Sequence, residues 1–253
     1  MLRFQHTAMA TQFEIRCTHP DEHYARSAAL AAFAAVDRLE LLLSRFVENS
    51  DISRLNARAP DEEVVVSLET HDCLKLAELM FRETDGAFDP TLGRGTAVDL
   101  GAIGKGYAVD RMAAILEDWD VRQALIDAGQ SSVVALDPPE GESHWALSLS
   151  DPRDPVVTVA RIDAVQRVLG ASGIRKPDHI IDPMTGEPVR ARRAAWVSAP
   201  RQLLGAISLR AGVTAASPAA IADALSTAFM MSAPDIIEAW RRAHPELDIW
   251  ILQ

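Results

Sequence analysis

Apolar residues recur at helical spacing in several stretches of the chain. From about Asp21 to Leu43, Ala29, Phe33, Val36, Leu39 and Leu43 form one stripe with Asp37, Arg38 and Glu40 largely off it, which predicts an amphipathic helix. A second helix is predicted after Ser67, a residue suited to N-capping, with Cys73, Leu76, Ala77 and Met80 inward and Gly86 at its end. A third begins near Gly104 and reaches Asp118, and a fourth follows Ser217-Pro218, a cap with proline at the first helical position. A fifth spans roughly Pro234 to His244.

Two-residue alternation or β-branched enrichment predicts strands at Gln12 to Cys17, Gln123 to Asp127, Ser131 to Leu136, Trp145 to Leu149, Ala206 to Leu209 and Asp248 to Leu252. Because these do not alternate regularly with the helices, the order favours an α+β fold over a doubly wound parallel sheet. Pro138 to Glu142 and Ser150 to Pro155 read as exposed turns, and the arginine-rich Val189 to Arg193 as a surface loop.

Composition narrows the class. With 253 residues, 48% of them hydrophobic and 24% charged, the chain can bury a substantial core as one large domain or two small ones. A net charge of -11 argues against a sequence-independent nucleic-acid surface, so any anionic ligand has to meet a local positive site. Cys17 and Cys73 are too few for a disulfide framework and read as small apolar residues. No apolar run has the length of a signal peptide or a membrane span, which makes a cytoplasmic location the expectation.

Three segments bear candidate chemistry. The stretch VDLGAIGKGYAVD, from Val98 to Asp110, sets three glycines and Lys105 directly ahead of a helix, where backbone N–H groups and the helix dipole favour an anion. A strand-to-helix turn also uses glycines, and neither standard phosphate-loop spacing fits. In ADALSTA, from Ala222 to Ala228, Asp223, Ser226 and Thr227 share one side of a helical turn. One acid and two hydroxyls suit magnesium better than zinc, whereas the structural alternative has both hydroxyls bonding back to a carbonyl one turn earlier. HIIDPMTG, from His179 to Gly186, is a short strand and turn in which His179 is a candidate base or simply a hydrogen-bonded histidine.

Taken in order, Met9-Ala10-Thr11, SRF at Ser44 with SDISRLN at Ser50, GAFDPT at Gly86, DLGAIGKG at Asp99, Asp127-Ala128-Gly129, HIIDPMTG and ADALSTA resemble the ApbE family of FAD:protein FMN transferases across nearly the whole chain. The resemblance implies one domain over residues 1–253, with an α+β fold of mixed or antiparallel sheets related to a duplicated T-fold. It implies a magnesium-dependent enzyme that transfers the FMN part of FAD to a Thr or Ser hydroxyl of a target flavoprotein and releases AMP. By motif position, Met9, Phe46, Ala87, Phe88, Asp89, Asp99, Lys105 and Ile181 would contact FAD. Ala102, through its carbonyl, with Asp223, Ser226 and Thr227, would hold Mg²⁺, and His179 would serve with Asp223 in catalysis.

Departures from the family pattern are Ala10 in place of glycine, Phe46 where a hydroxyl-bearing aromatic is common, Gln130 for a second glycine, and Met184 for arginine. The connection from Thr91 to Asp99 is short, and residues around Ala191 to Gly205 lengthen the one between the histidine and metal segments. Two other readings stand beside transfer: an FAD pyrophosphatase giving FMN and AMP, and a non-catalytic FAD-binding module.

Overall fold

The computed structural model describes residues 1–59, 61–91, 95–174 and 180–253. Seven strands form one antiparallel sheet in the order β1 (Leu2–Ala8), β2 (Thr11–Cys17), β3 (Ala124–Ala128), β4 (Ser132–Ala135), β7 (Arg167–Gly173), β8 (Ala194–Pro200) and β9 (Asp248–Leu252). A separate hairpin, β5 (Trp145–Ser150) and β6 (Thr158–Ala164), lies against one face. The other face carries most of the seven helices: α1 (Glu22–Leu43), α2 (Asp51–Ala57), α3 (Leu68–Glu83), α4 (Gly104–Asp118), α5 (Arg201–Leu209), α6 (Pro218–Ala228) and α7 (Pro234–Ala243). The expected α+β class is therefore the observed one.

The tight turns follow from local chemistry. Met9 and Ala10 join β1 to β2 with φ of 49° and 54°, and Gly129 and Gln130 join β3 to β4 at 62° and 64°. Positive φ at both central residues gives a turn whose twist matches that of the flanking strands. Ala10 and Gln130 thus hold the left-handed conformation that glycine adopts without strain. At Gly129 the Thr11 side chain leaves no room for a Cβ, since its Oγ1 lies 1.9 Å from where that atom would be.

Side chains cap the N-termini of α1 and α3, as expected of Ser67 for α3. Asp21 accepts from Tyr24 N at 3.0 Å, and Ser67 from Thr70 N at 3.2 Å. Four expectations change. Residues 206 to 209 are helical, the end of α5, because Leu204, Ile207 and Ser208 bury one helical face. The Ser50 region, whose Ser, Asn and Asp residues read as loop punctuation, is instead a capped helix, with Ser50 accepting from Ser53 N at 2.9 Å. Within the lengthened connection at residues 191 to 205, where no element was expected, lie β8 and the first half of α5. Alternation misses β8 because both its faces are buried: Ala195, Val197 and Ala199 join the helical core, while Ala194 and Trp196 join the core under the β5–β6 hairpin.

The fourth change concerns α6. Its N-terminus is not capped by Ser217, whose hydroxyl instead donates to Ala215 O. Asp110 of α4 takes that role across the helix pair, accepting from Ala219 N at 3.0 Å and Ala220 N at 2.9 Å. Two glycines let α6 approach its neighbours. A Cβ on Gly106 of α4 would lie 2.4 Å from Ala219 O, and one on Gly170 of β7 would lie 2.1 Å from Ala222 O. These close approaches set the first turn of α4 against the first turn of α6, and β7 against the middle of α6.

Candidate active site

The loop ahead of α4 folds around Asp99. Its Oδ1 accepts from Gly101 N at 2.8 Å, its own N–H donates to Pro90 O at 2.7 Å, and Arg45 Nε reaches its Oδ2 at 2.9 Å. The same guanidinium lies 4.1 Å over the ring of Phe46, which is 81% exposed. Arg45 has a charge partner and an aromatic platform, and the motif reading assigned it no role.

Lys105 turns back over this loop. Its Nζ donates to Gly101 O at 2.8 Å and stands 3.7 Å from Asp223 Oδ2. Asp223 is 2% exposed, and its Oδ2 also accepts from Gly106 N at 3.1 Å. Burial pushes its carboxyl above the ordinary carboxylate range, against the pull of the Lys105 charge and the Gly106 N–H. The fully buried Ser132 hydroxyl faces the same carboxyl and, as a hydrogen-bond donor to it, also favours the charged form.

One turn further along α6, Ser226 Oγ and Thr227 Oγ1 donate back to the Asp223 carbonyl at 2.8 and 3.2 Å. The back-bonding alternative is thus realised, but it does not use up the hydroxyls. Ser172 Oγ on β7 lies 3.0 Å from Ser226 Oγ and 2.9 Å from Thr227 Oγ1. Ser172 lies outside the motifs that singled out the other hydroxyls, and only strand–helix contact reveals it. Asp110 was missed as well, although it closes the very segment that contains Lys105. Burial raises its carboxyl to about 7, opposed by the two N–H groups it caps.

A groove of about 610 Å³ adjoins Asp89. Leu74, Ala77 and Phe81 of α3 form one wall, and Pro90, Thr91, Val98 and Met184 lie across from them. Asp89 Oδ1 accepts from Thr91 N at 2.7 Å and Thr91 Oγ1 at 2.6 Å. Ala87 is partly buried against the core, while the Phe88 side chain is buried within it and its N–H donates to Thr84 Oγ1. The hydrogen bond from Asp99 N to Pro90 O joins this groove to the Lys105–Asp223 pair.

The structure therefore brings Asp89, Asp99, Lys105, Asp223, Ser226 and Thr227 into one continuous set, with half-buried Ala102 in the loop between Asp99 and Lys105. Met9 lies in the β1–β2 turn, and Ile181 pairs with Pro188 in an isolated bridge. Neither shares a hydrogen bond with Lys105 or Asp223 among the described residues. His179 lies outside the described residues.

Donor chemistry decides which metal fits. No group of three or more His, Cys, Asp or Glu side chains gathers among the described residues. A nitrogen- or sulfur-rich zinc site is thus unsupported, whereas one buried carboxylate, two hydroxyls and a neighbouring backbone carbonyl are hard oxygen donors of the kind magnesium takes.

An antiparallel sheet roofed by helices, with a lysine–aspartate pair and hydroxyls where two helices meet, defines an α+β protein with an oxygen-rich polar site between helix and sheet. The ApbE family model matches residues 9–96 and 93–251, and the chain belongs to that family. It is similar to the FAD:protein FMN transferase of Treponema pallidum (strain Nichols), 24% identical over 226 residues covering 62% of each chain. The chain thus spans less than two thirds of that relative's length. Among solved structures it is similar to the ApbE protein of Thermotoga maritima at 25% identity and TM-score 0.81, over 99% of this chain and 93% of that one. The flavin transferase ApbE of Vibrio cholerae aligns at 19% identity and TM-score 0.80, over 99% and 92%, and supports the fold alone.

Proposed function

We propose that residues 1–253 act as one domain that binds FAD and Mg²⁺ and transfers FMN to a Ser or Thr hydroxyl of an acceptor flavoprotein, releasing AMP. The observation that carries the reading is the Lys105–Asp223 pair at 3.7 Å, with Ser226 and Thr227 one turn along the same helix. Treponema pallidum's similar protein has a name describing this reaction.

Asp223, Ser226, Thr227 and the Ala102 carbonyl would hold the metal, which when bound supplies positive charge to non-bridging phosphate oxygens. Lys105 binds the pyrophosphate electrostatically and keeps it beside Asp223. Asp89 and the groove orient the organic part of the dinucleotide, and Phe46 offers an exposed ring for stacking, as do Met9, Ala87, Phe88, Asp99 and Ile181 by motif position offer contacts. The acceptor oxygen forms a bond to the flavin-side phosphorus as the pyrophosphate P–O bond breaks, and AMP takes the bridging oxygen. The acceptor proton passes to His179, the proposed base, assigned by motif position.

Incubation with FAD, Mg²⁺ and candidate flavoproteins, followed by mass spectrometry of acceptor peptides and measurement of AMP, tests the reading. Equal amounts of AMP and peptide-bound FMN support it. Free FMN and AMP without an acceptor would mean a pyrophosphatase, and FAD binding with no AMP a binding module.

A further inference from the structure

Ser172 enters the site from the sheet. Its Oγ lies 3.0 Å from Ser226 Oγ and 2.9 Å from Thr227 Oγ1, and those two hydroxyls reach the Asp223 carbonyl at 2.8 and 3.2 Å. Three hydroxyls carry three protons for these four contacts, so one contact always lacks a donor of its own. Oxygen lone pairs are therefore in surplus beside a buried carboxylate. One strand away, the buried Ser132, in register with Gly170, turns its hydroxyl towards the Asp223 carboxyl.

The placement is built into β7. Gly170 lets α6 lie directly on the strand, since a Cβ there would meet Ala222 O at 2.1 Å. Two residues on, Ser172 points to the same sheet face and meets the next turn of that helix.

We propose that Ser172 is a positioning residue for the cation site, holding Ser226 and Thr227 in the rotamers that present their oxygens to a divalent ion beside Asp223. The proposal rests on the magnesium reading above. A tie that merely joined strand to helix would affect stability without selecting for cation affinity.

Mn²⁺, a spectroscopic substitute for Mg²⁺, separates the two. Free Mn²⁺ is followed by electron paramagnetic resonance during titration of the full chain, alone and with FAD, for wild type, Ser172→Ala and Ser172→Thr. Loss of an outer partner of metal ligands predicts affinity weakened about 10-fold or more in Ser172→Ala. Recovery in Ser172→Thr, with both variants melting cooperatively, is the expected companion result. Wild-type affinity in Ser172→Ala overturns the proposal, and so does equal weakening in both variants, which points to packing. Wild type that binds no Mn²⁺ with or without FAD overturns the magnesium reading itself, a failure visible before any variant is compared.

Discussion

Gly106 donates its backbone N–H to Asp223 Oδ2 at 3.1 Å, across 117 residues of sequence and at the point where α4 meets α6. The glycine has two functions at once, because only its missing side chain lets the donor come this close. A Cβ would lie 2.4 Å from Ala219 O and 2.7 Å from Ala220 Cα, both backbone atoms that cannot rotate aside.

Gly106→Ala should accordingly push the helices apart. Overpacking of this kind costs about 1–3 kcal/mol, and the displaced N–H would leave Asp223 with one donor fewer. Urea unfolding measures the first effect and the metal dependence of AMP release the second. An alanine variant as stable and as active as wild type would contradict the close crossing.

Removing the carboxylate is the direct test of the metal assignment. Asp223→Ala should lower Mg²⁺-dependent FMN transfer by at least about 100-fold, as expected when electrostatic stabilisation of the transition state is lost. Asp223→Asn, which keeps the volume, should lose activity to a similar extent while folding normally. Transfer at the wild-type rate in either variant would falsify the assignment.

Lys105 is asked to bind the anionic substrate. Its replacement by Gln removes a charge-assisted contact worth about 1.5–3 kcal/mol, so FAD should bind roughly 10- to 100-fold more weakly. Fluorescence quenching of bound flavin measures this without turnover. Because the Lys105 charge also lowers the proton affinity of Asp223, that carboxyl should titrate higher still in the variant.

Asp110 predicts a pH dependence of stability. Burial pushes its carboxyl up to about 7 in the folded chain against about 3.8 for a free aspartate, so between those values the folded protein keeps a proton that the unfolded chain has lost. This contribution is full below the lower value and disappears as the pH rises through about 7, at up to about 1.4 kcal/mol per pH unit. Asp110→Asn should flatten that part of the profile, measured as urea midpoints from pH 4 to 8. Its one remaining acceptor oxygen should also cap α6 less completely, lowering stability at all pH values. An unchanged slope would mean that Asp110 is ionised throughout the range.

Helices α1, α3, α4 and α7 are legible because apolar stripes and boundary residues are local: Ser67 caps α3 as its position predicts, and Gly104 to Asp118 is the observed extent of α4. The ordered motifs likewise led to Lys105, Asp223, Ser226 and Thr227 before any contact was known. By contrast, β8 gave no alternation because it is covered on both faces, and α5 was taken for a strand from an apolar run too short to show its period.

Sequence by itself determined the α+β class, most of the helices and the residue types of an oxygen-rich site. Only tertiary structure decided that Asp110 caps α6 from another helix, that Arg45 holds Asp99, and that Ser172 meets the hydroxyls of α6. The physical reason is range. Caps and hydrophobic periods act within a few residues, whereas the Lys105–Asp223 pair depends on Gly106 and Gly170, two absent side chains whose consequence appears only where distant backbones touch.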